Sequence, residues 1–419
     1  MMLDPERQRR FAVDVVRKLR GAGFEALWAG GCVRDRLLGR VPKDYDVATN
    51  ATPPEIRRLF GRRRTLAVGA AFGTIVVLGP KPAGQIEVTT FRRDADYSDG
   101  RHPDQVTFST AREDALRRDF TINGLFYDPV EERIIDYVGG QEDLRRRRVR
   151  AIGDAHARFR EDKLRLLRAV RFAATYEFEL EDRTREAVRE MALGITVVSA
   201  ERIAAEMRLA LTARQRARAV GLLLETGLAS AILPEIVPGG PQKQERLGRA
   251  LQVLDRLDEP GFPLAMAALL LPFVDAEAAR AIGRRWRLSN QEIDLTGWLL
   301  QNRDALVGAR AAPWSRLQPI LIAEGIEDLL ALTEAARPES ADDLDFCREK
   351  LRLRREELDP APLLTGDDLL AHGLTPGPQF RVLLDRARAA QLDGEIHTKD
   401  EALSLVERLA RTVWPPTND

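Results

Sequence analysis

Cysteine is almost missing from this chain of 419 residues, with Cys32 and Cys347 the only two. They cannot build a disulfide framework, and a fold without such staples fits a reducing compartment. Histidine is scarce as well: His102, His156, His372 and His397 are scattered, and Pro103 separates His102 from Asp104. No metal site of paired His and Asp ligands is evident from that spacing. Net charge is absent, because 65 Lys+Arg balance 65 Asp+Glu. Bulk charge therefore gives no pointer to nucleic acid, and any basic surface must come from uneven placement. No apolar run is long enough to cross a membrane. The N-terminus reads as a charged amphipathic helix from Asp4-Pro5, with Phe11, Val15 and Leu19 on one face, and lacks the apolar core of a signal peptide. These absences together read as a soluble, cytoplasmic protein.

What is present is arginine, locally dense at Arg62-Arg63-Arg64 and at Arg145-Arg146-Arg147-Arg148 with Arg150. Such runs are either solvated faces or phosphate contacts. The chain is too long for one ordinary core, so two or more domains are expected. Up to about residue 145, helical and strand patterns alternate. Strands are expected around Trp28 and over Val41 to Ala48, Thr74 to Leu78, Ile86 to Phe91 and Arg133 to Tyr137, between glycine and proline breaks. From about 150 onward the pattern is helical, rich in Ala, Leu, Arg and Glu, with breaks at Pro238-Gly239-Gly240-Pro241, Pro260-Gly261 and Asp359-Pro360-Ala361-Pro362. The fold class is α+β: a mixed head followed by an all-helical arm, with no simple repeat.

The chemistry concentrates at Asp44-Tyr45-Asp46 and, upstream, Ala29-Gly30-Gly31-Cys32-Val33-Arg34-Asp35. Residues i and i+2 of a strand share a face, so Asp44 and Asp46 are expected side by side. Two hard anionic ligands suit magnesium, which completes its octahedron with waters and phosphate oxygens. Gly30 and Gly31 offer backbone N–H groups with no Cβ in the way, and Arg34 adds a forked cation; both suit a polyphosphate. A metal pair beside a phosphate cradle implies phosphoryl or nucleotidyl transfer.

The stretch Leu27 to Thr49 resembles the nucleotidyltransferase superfamily, in the branch of bacterial (class II) tRNA nucleotidyltransferases and poly(A) polymerases. Val68-Gly69-Ala70-Ala71-Phe72-Gly73-Thr74, Glu87-Val88-Thr89-Thr90-Phe91-Arg92, Arg117-Arg118-Asp119-Phe120-Thr121-Ile122-Asn123, Asp136-Tyr137-Val138-Gly139-Gly140, Glu161-Asp162-Lys163-Leu164-Arg165 and Ser199-Ala200-Glu201-Arg202-Ile203 follow in the family's order. The likeness is dense over the first half and thinner through Arg287-Leu288-Ser289-Asn290 and Leu374-Thr375-Pro376-Gly377-Pro378. It implies a polymerase-β-like head with a mixed sheet over 1–145, a helical neck with a nucleotide-selecting helix over 146–210, a body over 211–275 and a tRNA-binding tail over 276–419. It also implies two magnesium ions, CTP and ATP as substrates, and the tRNA 3′ end and acceptor arm as partner. Glu87, on the strand face shared with Thr89 and Phe91, is the expected third metal carboxylate. Arg118 is expected on the triphosphate and Asp119 on ribose hydroxyls, with Asn123 assisting from the same face of a helix that Arg117-Arg118-Asp119 opens. Without the resemblance, Asp119 is an ordinary anion at a helix N-terminus.

Asp162 and Arg165, at i and i+3 on a helix, are either an exposed ion pair or a base-reading pair. A carboxylate accepts from an exocyclic amine while a guanidinium donates to the adjacent ring nitrogen. Cytosine and adenine satisfy both; uracil and guanine reverse every hydrogen bond and leave polar groups unpaired. Arg168 and Arg171 continue the arginine row toward the phosphates, or simply face solvent. The polar stretch from Arg92 to Asp104 is long enough to be a functional loop; in the family a loop here serves the switch from C to A addition. Leu374 to Pro378 is a turn, either plain or holding tRNA phosphates. The reading is a CCA-adding activity, with A-only addition, poly(A) synthesis and a non-catalytic RNA-binding scaffold as alternatives. The intact Asp44 and Asp46 oppose the scaffold.

Overall fold

The computed structural model describes residues 4–94 and 106–413, in two compact units, Met1–Val237 and Pro238–Asp419. The division falls at the Pro238–Pro241 break, inside the segment 211–275 expected as the body. In chain order the first unit contains α1 (Pro5–Gly21), β1 (Ala26–Ala29), α2 (Gly31–Leu37), β2 (Asp46–Thr49), α3 (Pro53–Phe60), β3 (Thr65–Leu66), β4 (Thr74–Leu78), β5 (Gln85–Thr90), β6 (Arg92–Asp94), β7 (Val106–Phe108), α4 (Ala111–Leu116), β8 (Leu125–Asp128), β9 (Arg133–Asp136), α5 (Gly140–Arg145), α6 (Ala155–Glu161), α7 (Leu164–Tyr176), α8 (Asp182–Met191) and α9 (Ala200–Leu211). Seven strands form one sheet in the order β3-β4-β5-β2-β1-β8-β9. Only β2 and β5 run parallel; the remaining neighbours in that sheet are antiparallel.

Asp4 caps α1, accepting from the N–H groups of Glu6 and Arg7, and buried Ala12, Val15, Val16 and Leu19 line its inner side. The helix lies against β1, β2 and β5. Leu27, Ala29, Ala48, Phe91 and Phe126 gather with Ala111 and Ala115 of α4 in one apolar cluster. Because strand side chains alternate, Asp46 belongs to the face of Ala48, and Glu87 to the face of Phe91. One sheet face is therefore apolar under α4 and carries carboxylates beyond it.

Two local expectations change. The strand expected over Val41 to Ala48 is paired only from Asp46, where the register sets Asp46 opposite Glu87 and Val47 opposite Trp28. Asp44 precedes the ladder, and Pro42, which has no N–H to donate, lies in the unpaired lead-in. The alternation nonetheless persists: Tyr45 is buried, its ring 4.7 Å from that of Trp28, while Asp44 and Asp46 are both exposed. The second change concerns Arg117-Arg118-Asp119, which closes a helix instead of opening one. α4 ends at Leu116 with Arg117 as its C-cap. Phe120 is fully buried, edge-on to Phe172, and its neighbours pair with the chain near Ala151, with Thr121 N–H donating to Arg150 O and Ile152 N–H to Asp119 O. That anchoring draws the backbone out of helix, and only a single 3-10 turn, Thr121–Asn123, follows.

The second unit is helical from Pro241–Arg256 to Lys399–Val413. Leu374–Pro378 joins the helices Gly366–Ala371 and Gln379–Leu392, and Leu374 packs on their shared core. No helix among the described residues is long and apolar enough to cross a membrane.

Gly140 shows how tightly the head is closed around the turn bearing Asn123. A Cβ there would lie 2.2 Å from the Thr121 carbonyl oxygen, while Asp136 accepts from the N–H groups of Val138, Gly139, Gly140 and Gln141. Gly140→Ala is expected to destabilise the protein by about 1–3 kcal/mol, the usual cost of overpacking. Urea unfolding should show a lower midpoint at unchanged slope.

Candidate active site

The carboxylates sit at the end of the β2–β5 pair. Solvent reaches Asp46, but protein crowds around it. That desolvation, reinforced by Glu87 and Asp44 and opposed by Arg118, pushes its carboxyl up to about 6. Among the described residues no three His, Cys, Asp or Glu side chains are gathered into a ready-made metal cage. Magnesium needs no such cage, since one or two carboxylates plus substrate oxygens and waters complete its shell. Like-charged carboxylates crowded at one strand end, as Asp46 and Glu87 are, fit that donor set.

α4 runs over the apolar cluster and delivers Arg118 to the same end of the sheet. Asp114, 1% exposed, accepts from Arg118 at 3.0 Å and from Arg117 at 2.7 Å. Arg118 Nη1 also donates to the Asn123 carbonyl at 3.2 Å and lies 2.8 Å from where a Cβ of residue 30 would be. Gly30, with φ of 74°, is thus doubly required, by its left-handed backbone and by the approach of Arg118. Gly31 begins α2, and Arg34 on that helix is 7% exposed. Arg34 donates to Asp35 at 2.9 Å and to Asn123 Oδ1 at 2.6 Å.

From Asn123 the polar chain continues into the neck. Asn123 Nδ2 donates to Asp119 at 3.0 Å, and Asp119 receives both Nε and Nη2 of Arg168, at 2.9 and 2.7 Å. Arg168 and Arg171 then share Glu206 of α9, at 3.4 and 2.6 Å. Burial opposes ionisation of Asp119, but Arg168 and the Asn123 amide overcome it and hold the carboxyl at about 2. Arg168 and Arg171 are consequently neither free nor solvent-facing. Much of the arginine run is paired as well: Arg148 and Arg150 clamp buried Asp143, and Arg145 and Arg146, though exposed, pair with Glu142.

Asp162 and Arg165 do not lie on one helix. Asp162 terminates α6 in an extended conformation, φ of −145°, and α7 begins only at Leu164. The two are not bonded to each other through their side chains, so the exposed ion pair is not what forms. Asp162 pairs instead with Arg202 at 2.7 Å and caps the N–H of Leu164 at 3.0 Å. Arg165 reaches Glu161 at 2.6 Å and the carbonyls of Arg158 and Arg117 at 3.0 and 3.3 Å. Arg202 and Glu206, at i and i+4 on α9, are roles the sequence reading left unassigned; that spacing beside two arginines at i and i+3 was the available signal. Asp114 was missed because its partners are adjacent in sequence and read as a surface helix. The C-to-A loop expectation, centred on Asp96 to Gly100, lies outside the described residues.

Residues 26–150 match the Poly A polymerase head domain, and 177–238 the probable RNA and SrmB-binding site of polymerase A. The chain is 35% identical to the CCA-adding enzyme of Geobacillus stearothermophilus, over 94% of its own length and 95% of that protein's. It is equally 35% identical to the CCA-adding enzyme of Enterococcus faecalis, over 94% of each chain. Its structure resembles the crystal structure of the Bacillus stearothermophilus CCA-adding enzyme in complex with CTP, with a TM-score of 0.78, 30% identity and coverage of 97% and 98%. A likeness in fold extends to the Thermotoga maritima CCA-adding enzyme complexed with tRNA, at a TM-score of 0.64, 20% identity and coverage of 96% and 95%.

The Asp119–Arg168 pair has a signature in acid. Its carboxyl sits at about 2 against an ordinary 3.8, so its stabilisation is complete above 3.8 and is lost as pH falls toward 2. That shift corresponds to about 2 kcal/mol. Asp119→Asn should lower stability at neutral pH and flatten its pH dependence within that window, read by urea unfolding at fixed pH values.

Proposed function

From membership of the CCA-adding enzymes, to which the chain belongs, we infer that it builds or repairs the CCA 3′ end of tRNA in the cytoplasm without a nucleic-acid template. The observation that carries this is the register opposing Asp46 to Glu87, with Arg118 and Arg34 at the Gly30-Gly31 turn, because carboxylates of that kind suit magnesium and the glycines and arginines suit a triphosphate. The tRNA 3′-hydroxyl oxygen attacks the α-phosphorus of CTP or ATP; the new ester bond forms as the bond to the bridging oxygen breaks, and pyrophosphate leaves. Asp44 and Asp46, with Glu87 beside Asp46, would hold magnesium. Two magnesium ions held there would supply charge that lowers the pKa of the attacking hydroxyl and offsets that of the departing pyrophosphate. Gly30 and Gly31 let the backbone approach the triphosphate, and Arg34, Arg118 and Arg171 supply cations held in place by carboxylates and an amide. Asp119 and Asn123 face the ribose. Arg168 holds Asp119, and Asp162 with Arg165 reads the base.

The full-length likeness to CCA-adding enzymes favours CCA addition over A-only addition and poly(A) synthesis. The proposed division of labour keeps catalysis in the head at 1–145, nucleotide selection in the neck at 146–210, and tRNA binding in the tail at 276–419, beyond the helical body at 211–275. The deciding experiment supplies tRNA lacking its 3′ end with each nucleotide alone and with both. CTP alone should extend it to CC, and both nucleotides to CCA. Failure to add C would leave the A-only reading, and long A tails the poly(A) reading.

Asp44→Asn and Asp46→Asn should each reduce incorporation of C and of A alike, by about a thousandfold, while tRNA binding persists. Several kcal/mol of charge stabilisation are lost regardless of the base. Near wild-type single-turnover rates with magnesium would overturn the assignment. Arg165→Ala should slow addition and raise UTP or GTP incorporation relative to CTP and ATP. Equal slowing with all four nucleotides would instead make Arg165 a helix clamp for Glu161.

A further inference from the structure

Arg34, like Arg118, lies against the glycine turn, yet its ring contacts come from the neck. Its guanidinium carbon lies 4.4 Å from the Tyr176 ring centroid and 5.4 Å from that of Phe172, both on α7. The two rings are stacked, with centroids 6.2 Å apart and planes 27° from parallel. Tyr176 also donates its hydroxyl to Asp35 Oδ1 at 3.0 Å, and that same oxygen accepts Arg34 Nε at 2.9 Å. Arg40 lies over the same ring at 4.9 Å. The charged groups facing Tyr176 are therefore Arg34, Arg40 and Asp35. Burial pushes its phenol up to about 12, with Asp35 adding to the rise and the two arginines opposing it, so the hydroxyl remains a donor.

With Nε committed to Asp35 and Nη1 to Asn123, the remaining nitrogen of Arg34, Nη2, lies 3.5 Å from the Cβ position of Gly31. Nη2 is thus the nitrogen of Arg34 that remains, beside the glycine turn, to meet a phosphate held there. A guanidinium turned this way needs something across its face, because its edge contacts fix only two nitrogens. The geometry points to Tyr176 as a positioning residue for nucleotide binding: its ring, at the far end of the helix that carries Arg165, Arg168 and Arg171, holds Arg34 against the triphosphate. The neck thereby sets the head's phosphate cation as well as the base-reading groups. This rests on Arg34 being a phosphate ligand, as read above.

The test measures calorimetric binding of CTP and of cytidine to the full-length protein with Tyr176→Leu, Tyr176→Phe and Arg34→Gln, each checked for a native circular dichroism spectrum and cooperative unfolding. Tyr176→Leu should weaken CTP binding about 3- to 10-fold, the scale of one partly buried cation–π contact, and leave cytidine binding unchanged. Tyr176→Phe keeps the stacked ring and should bind CTP as the wild type does. In the Arg34→Gln background, Tyr176→Leu should cause no further loss. Where Tyr176→Leu fails to fold, Tyr176→Met keeps the bulk and serves in its place. An equal loss for CTP and cytidine would mean a structural role only and would overturn the inference, as would a loss in Tyr176→Phe matching that in Tyr176→Leu. If Arg34→Gln leaves CTP binding intact, the phosphate reading itself fails. If Arg34→Gln weakens CTP binding and Tyr176→Leu does not, only the positioning role fails.

Discussion

The pairing of Asp119 with Arg168 is the constraint on which the rest of the site depends. Asp119 lies in the head, on a stretch pinned by buried Phe120 and by pairing near Ala151; Arg168 lies mid-way along α7. Two charge-assisted hydrogen bonds from Arg168 converge on one carboxylate oxygen, Asp119 Oδ2, and fix that contact. Once it is made, Asn123 is oriented by Asp119, Arg34 by Asn123, and Glu206 of α9 joins Arg168 to Arg171. Signs alternate along this row: Asp35, Arg34, then Asp119, Arg168, Glu206, Arg171. A site for a polyanion must hold several cations close together in protein of low polarity, and each would repel the next. Interleaved carboxylates cancel that repulsion while leaving guanidinium edges available. The zero net charge of the whole chain is therefore no obstacle to binding nucleotides or RNA, because the charge that matters is arranged locally.

Much of the head was legible because its chemistry is local in sequence. The Gly30-Gly31 turn, Arg34 and the alternation through Asp44, Tyr45 and Asp46 each follow from a few neighbouring residues, and the structure keeps all three relationships even though Asp44 stands outside the ladder. The expected strand at Thr74 to Leu78 also forms with the same limits. What was not legible depends on distant partners. β8 sits between β1 and β9 in the sheet, but Leu125-Phe126-Tyr127-Asp128 is buried throughout and shows no alternation to mark a strand. The segment from Arg117 to Asn123 carries a helix-like pattern that Phe120 overrides by entering the core.

The pair Asp162 and Arg165 shows why spacing alone was insufficient. Three residues apart, they suggest contact along a helix. The extended backbone at Asp162 separates them into the end of one helix and the start of the next, and each acquires its own anchors: Arg202 for one, Glu161 and two carbonyl oxygens for the other. Two groups that neutralised each other would have to be pulled apart before meeting a base. Separately anchored, each would keep its orientation on meeting a base, the role proposed for them, which would lower the cost of ordering them at that moment.

A consequence follows for how one site can accept both a pyrimidine and a purine. Independent anchors restrain the two side chains too firmly for large changes of rotamer, since either would leave a carboxylate or a guanidinium without its partner. Between those anchored side chains the helix is broken, with Asp162 alone extended between α6 and α7. The anchors of that break are divided between elements: Arg202 belongs to α9, and the Arg117 carbonyl that Arg165 reaches belongs to the end of α4. The end of α4 that receives Arg165 also carries Arg118 beside Gly30, so the residues proposed to read the base and to meet the triphosphate share one short helix as a support.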